Sequence, residues 1–130
     1  MGLDNGIILR TKNKIENIPY YVDVQYSPVN EEYTICYWRK CGTLRDEILT
    51  AIDAEPDEYS FELSTGDVQN IIDVILSYFS DISYWDDVGN SIWNFKEMIP
   101  HFAQDIVNLE WLMDYMKDNV AAVVEFYDSY

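Results

Sequence analysis

A single α+β domain, with a small, mainly antiparallel sheet packed by three to four helices, is what the sequence predicts, and three observations carry that expectation. Short β-rich runs with period-two alternation lie near both ends of the chain. Between them, several stretches repeat their apolar residues at helical spacing. The 130 residues contain no linker, repeat or low-complexity tract, so residues 1–130 form one domain. A chain of that length hides about two thirds of its unfolded surface. With 48% apolar and 15% aromatic residues it has the material for a core despite its charge.

Residues 6–11 (GIILRT) read as the first strand, approached through Asp4-Asn5-Gly6, a turn sequence whose glycine tolerates positive φ. The polar, basic residues 11–17 read as a loop, and Pro19 leads into a second strand over 20–26. There Tyr20, Val22, Val24 and Tyr26 alternate with Tyr21, Asp23 and Gln25, and Pro28 and Asn30 close the segment. The third strand, 33–39, places Tyr33, Ile35 and Tyr37 on one face and Thr34, Cys36 and Trp38 on the other. Both faces are largely apolar, which predicts an interior strand covered on both sides.

Gly42-Thr43 opens a helix, with Thr43 as N-cap, Asp46 at the capping-box position and Leu44, Ile48, Ala51 and Ile52 facing inward. An acidic loop over 53–58 (DAEPDE) and a short extended piece over 59–63 follow. Ser64 to Asp67 repeats the capping signature, and Val68, Ile71, Ile72, Ile75 and Phe79 continue at helical spacing. Residues 81–90 read as a loop. A helical turn or two over 92–98 is expected to stop near Ile99, since a residue before proline is pushed out of the α region. Pro100 suits the first turn of a further helix to about Lys117, with the stripe Phe102, Ala103, Ile106, Leu109, Met113 and Met116. Gln104, Asn108, Trp111 and Tyr115 fall opposite, so two large aromatics project from that side and are covered by another segment or by a partner. Residues 120–127 (VAAVVEFY) read as helix or strand; alternation and β-branched content favour a fourth strand.

The net charge is −16, and it is unevenly placed. Residues 1–45 carry six bases and five acids, whereas residues 46–130 carry nineteen acids against Lys96 and Lys117 alone. Such a field disfavours direct nucleic-acid binding and attracts basic proteins. Two cysteines, Cys36 and Cys41, and the single His101 make neither a disulfide framework nor a tetrahedral metal site, so free thiols in a cytoplasmic protein are expected. No membrane span, signal peptide or myristoylation signal is evident. The alternating acids from Asp53 lack the glycine and the final glutamate of an EF-hand, with Glu58 and Ser64 at those positions. His101 and Cys41 carry no signature of a nucleophile pair. Neither a metal, a cofactor nor an enzymatic activity is expected.

Three constellations remain as candidate sites. Asp53, Glu55, Asp57, Glu58, Asp67, Asp73, Asp81, Asp86 and Asp87 form a candidate acidic docking surface, able to occupy a basic groove by imitating nucleic acid. The same acids also serve simply to keep a chain soluble. Arg39, Lys40, Thr43 and Arg45 form a candidate anion site at a helix start, although RKCGTLR lacks the Walker spacing and its cations have abundant acid to pair with. Trp111 and Tyr115 are candidate interface aromatics.

The opening Met1-Gly2-Leu3-Asp4-Asn5-Gly6-Ile7, the run Tyr37-Trp38-Arg39-Lys40 followed by Leu44-Arg45, and the ending Phe126-Tyr127-Asp128-Ser129-Tyr130 resemble small uncharacterised proteins encoded by bacteriophages and prophages. The resemblance implies a setting in which small acidic proteins block host defence or DNA-handling enzymes, as anti-CRISPR and anti-restriction proteins do. The functional expectation is an inhibitor that binds a basic host protein. The alternatives are a binding domain for a phosphate or nucleotide at 39–45, or a self-assembling structural protein, a homodimer in its simplest form, held through Trp111 and Tyr115.

Overall fold

The computed structural model describes residues 4–12, 14, 15, 18, 23–26, 31–39, 42–54, 60–80 and 95–129. In chain order the elements are β1 (Asp4–Thr11), β2 (Asp23–Tyr26), β3 (Glu31–Arg39), α1 (Gly42–Ala51), β4 (Ser60–Glu62), α2 (Thr65–Ser80), α3 (Phe95–Asp118) and β5 (Val123–Ser129). The five strands form one sheet in the order β2-β3-β1-β5-β4, and every neighbouring pair is antiparallel. The α+β class and the small antiparallel sheet therefore stand as expected. The residues around 120–127 resolve into strand β5. Val120 lies in the preceding turn and is exposed. Residues 20–22, 81–90 and 92–94 of the expected elements lie outside the described residues.

Alternation explains how the sheet faces its core. Asn5, Ile7, Leu9 and Thr11 of β1 are buried, and β5 sets Val124, Phe126 and Asp128 beside Leu9, Ile7 and Asn5 on the same face. Helical residues Leu44, Ile48, Val68, Ile71, Ile75, Phe102, Leu109 and Leu112 close that face into one core. The helix α2 packs against both α1 and α3, and α3 lies over β3. Its start is the reciprocal cap that the sequence predicts: Asp67 N–H donates to Ser64 Oγ at 3.1 Å, and Ser64 N–H donates to Asp67 Oδ2 at 3.0 Å.

Four expectations are corrected. The first concerns β3, where Ile7 pairs with Cys36 but Ile8 pairs with Thr34, leaving Ile35 as the extra residue of a β-bulge. The bulge breaks the alternation, so Tyr33, Ile35, Cys36 and Trp38 are all buried while Tyr37 is 46% exposed. Neither assigned face of β3 survives it. Second, the chain does not break at Ile99: α3 runs through Pro100, its sixth residue. Proline costs one backbone bond there, near the start of a 24-residue helix whose later turns are held by packing.

Third, the helix is rotated from its expected setting. Ala103 is exposed, whereas Asp105, Asn108 and Leu112 are buried beside Phe102 and Leu109. Fourth, Thr43 lies inside α1, which begins at Gly42, so it does not occupy the cap position. Gly6 also differs in its role: no described glycine has positive φ, and Gly6 sits within β1 where Tyr127 crosses it.

Candidate functional site

The bulge in β3 anchors a buried polar cluster that joins α3 to the sheet. An extra residue leaves its carbonyl outside the strand ladder, and here Asn108 Nδ2 donates to Ile35 O at 3.1 Å from α3. Gln104, one turn earlier, donates to Asn108 Oδ1 at 3.0 Å. On the adjoining turn Asp105 Oδ2 accepts from Trp38 Nε1 at 2.8 Å, and the Cys36 thiol donates to the same carboxyl. His101 Nε2 stands 3.9 Å from Asp105 Oδ2 on the more exposed side. Two buried polar residues of α3 are thus matched to two consecutive features of β3.

Burial pushes the Asp105 carboxyl up to about 6, against the opposing pull of His101, Trp38 and Cys36. Burial also drives the Cys36 thiol well above its ordinary value, and the neighbouring Asp105 adds to the shift. Cys36 is therefore a protonated hydrogen-bond donor and not an activated nucleophile. The cysteine near His101 is Cys36; Cys41 lies outside the described residues.

A stability prediction follows for Asp105. Its folded value lies above the ordinary 3.8, so its contribution is fully present below that pH and is lost as pH rises through about 6. Asp105→Asn keeps a carbonyl acceptor for Trp38 and does not titrate. Relative to the parent, the variant is expected to gain up to about 3 kcal/mol between pH 4 and pH 8. Urea unfolding across that range measures it, and parallel pH profiles for the two proteins would refute it.

The candidate anion site is placed differently. Arg45 on α1 is bound to the buried Asp128 of β5 through Nε at 2.9 and 3.0 Å and through a terminal nitrogen at 2.7 Å, and it also reaches Asp46 at 2.9 Å. Asp128, foremost, holds the guanidinium proton more firmly still. Asn5 Nδ2 donates to the same carboxylate at 2.9 Å. Arg39 ends β3 and Thr43 lies in α1, while Lys40 is outside the described residues. The adjoining cavity, about 400 Å³, is lined by Arg45, Asp46, Leu49, Thr50, Asp53 and Ala54, two carboxylates to one cation.

Of the nine acids named for docking, Asp53 and Asp73 are exposed, and Asp67 is tied into the α2 cap. Asp73 also accepts from Gln69 at 3.0 Å. Glu55, Asp57, Glu58, Asp81, Asp86 and Asp87 lie outside the described residues. The structure adds Asp46, Glu62, Glu110, Asp114 and Asp118 as exposed carboxylates outside that set. The last three recur every four residues along α3, a spacing visible in the sequence once the rotation of the helix is known.

Trp111 and Tyr115 are half-buried against the chain's own core. Their rings stack with centroids 5.4 Å apart, both pack against the core, and Tyr115 donates to Thr11 Oγ1 at 3.2 Å. Among the described residues no group of His, Cys, Asp and Glu is arranged to hold a metal ion. None of the described helices is long and apolar enough to cross a membrane. The chain matches no family model, no curated protein and no solved structure.

Proposed function

We propose that this chain is a small acidic inhibitor of the phage type, which binds a basic nucleic-acid-handling or defence protein through carboxylates on the outer faces of its helices. The observation that carries the reading is the division of charge. Arg10 is held between Glu32 and Glu125, and Arg45 between Asp128 and Asp46, so two of the cations are spent inside the molecule. Among the residues whose side chains the structure describes, the exposed cations are Lys12, Lys14 and Lys117, against Asp46, Asp53, Glu62, Asp73, Glu110, Asp114 and Asp118.

The row Glu110, Asp114 and Asp118 supports the reading further. Like charges four residues apart disfavour a helix by about 0.2–0.5 kcal/mol per pair, so stability alone does not account for them. They stand about 6 Å apart along the axis, a coarser row than the phosphates of a DNA strand at about 3.4 Å. Any imitation of nucleic acid rests on sign and linear arrangement, not on matched spacing. The phosphate reading has less support, because Arg45 is already matched by two carboxylates. Self-assembly through Trp111 and Tyr115 has less too, because both pack against the core.

Capture of a basic host protein by the immobilised chain is expected at ~0.05 M salt and is expected to be lost by ~0.5 M, where screening lengths fall to a few ångströms. The triple variant Glu110→Lys, Asp114→Lys, Asp118→Lys is expected to weaken capture by about tenfold or more. A partner retained equally at both salt concentrations and by the triple variant would overturn the proposal.

A further inference from the structure

We propose that the cavity between β3 and α3 is a binding site for a compact organic cation, an ammonium or guanidinium group, which pairs there with Asp105. The cavity holds about 410 Å³ and is lined by residues 34–37 of β3 and by Pro100, His101, Gln104, Asp105 and Asn108 of α3. That volume suits a fragment-sized ligand and lies within the range of ordinary small-molecule sites.

Asp105 is the residue that such a cation meets. Its side chain is 4% exposed, and buried carboxylates are ordinarily matched by a cation. Its hydrogen-bond donors, however, are neutral: the Trp38 indole and the Cys36 thiol. Among the described residues no Arg or Lys is paired with it, and His101 Nε2 approaches it only in a long ion pair, at 3.9 Å and beyond hydrogen-bond distance. Arg10 and Arg45, by contrast, each have carboxylate partners at 2.6–3.1 Å, so this chain builds close ion pairs where it has resident cations to match.

A guanidinium or ammonium entering the cavity supplies the missing charge. The exposed Pro100 suits the short alkyl stem of such a ligand, and the overall charge of −16 draws cations toward the molecule. The titratable groups facing Asp105 are His101 from α3 and Cys36 from β3. Protonation of Asp105 removes the ligand's partner, so binding strengthens from pH 5 to pH 7.5. The inference stands apart from the protein partner proposed above, since it concerns a cavity over β3 and not the exposed acids of the helices.

The test is an amide-resolved NMR titration of the full chain with methylguanidinium and, in parallel, with the neutral N-methylurea. Saturable shifts at Ile35, Cys36, Tyr37, His101, Gln104 and Asp105 with methylguanidinium alone are expected at pH 7.5. Affinity is expected to fall about tenfold at pH 5, as the carboxyl near 6 becomes protonated. Asp105→Asn is expected to weaken binding by roughly tenfold or more. If that variant does not fold, His101→Lys, which sets an ammonium beside Asp105 from an exposed position, is expected to block the probe instead. An acetylated arginine amide that binds more tightly than methylguanidinium marks an arginine side chain as the preferred source, and the reverse order marks a free cation; either outcome supports the site. Equal shifts with N-methylurea, linear shifts spread over the acidic surface, or affinity unchanged in Asp105→Asn and in His101→Lys would overturn it.

Discussion

Gly6→Val is expected to abolish cooperative folding, and Gly6→Ala to cost several kcal/mol, more than the ~1–3 kcal/mol typical of an overpacked core. A Cβ at this position meets Tyr127 Cε1 and Oη at 2.7 Å and comes closer still to the carbonyl oxygen of Cys36. Tyr127 is the cross-strand neighbour of Gly6 on β5, and its ring lies over the glycine. The carbonyl belongs to β3, so the clash reaches the strands on both sides of β1. Removing the ring relieves only one of the two contacts. Gly6→Ala combined with Tyr127→Ala is therefore expected to lose less stability than the sum of the two single losses, while staying below Tyr127→Ala alone because the clash with the Cys36 carbonyl remains. Gly66→Ala is the matched control. Its Cβ meets only Ser64 Oγ, at 3.6 Å, within helix α2, and alanine there is expected to stabilise by about 0.5–1 kcal/mol. Urea midpoints for these variants and for Tyr127→Ala alone provide the measurement; a Gly6→Ala protein as stable as the parent would refute the role assigned to Gly6.

Arg45→Met is expected to cost about 3–5 kcal/mol, the usual result of stripping a buried carboxylate of its cation. The Asp128 side chain is 2% exposed and would retain only the Asn5 amide as a donor among the bonds described above. Removing both charges, with Arg45→Met and Asp128→Asn together, is expected to restore most of the loss, because an uncharged pair carries no stranded charge. Chemical denaturation of the two single variants and the double variant measures the coupling. Equal and additive losses would show that Arg45 and Asp128 contribute separately.

Much of the architecture was legible in the chain because it depends on local pattern. The β-rich run of residues 6–11, the helical spacing of Val68, Ile71, Ile72 and Ile75, and the Ser64–Asp67 cap are all satisfied within a few residues. Strand β5 was the closer decision. The order Val124, Phe126, Asp128 aligns with Leu9, Ile7 and Asn5 and takes its place beside β1.

The candidate site was less legible, for a reason particular to β3. One extra residue in that strand exchanges its faces from Ile35 onward, and period-two reading has no way to register an insertion that is set by the partner strand. The rotation of α3 follows from the same event. Asn108 turns inward to meet the carbonyl freed at Ile35, and Asp105 turns inward to meet Trp38, positions that an apolar stripe assigns to solvent.

By itself, the sequence determined the fold class, the Ser64–Asp67 cap and the sign of the surface, since these arise from composition and from neighbours within a turn or two of the chain. Only the tertiary structure decided that Trp38 meets Asp105 across 67 residues, that Arg45 meets Asp128 across 83, and that Asn5 meets Asp128 across 123. Those pairings depend on strand register and helix rotation, which are set when the sheet and the helices close on a common core. Until then each of these polar groups reads as a side chain bound for water.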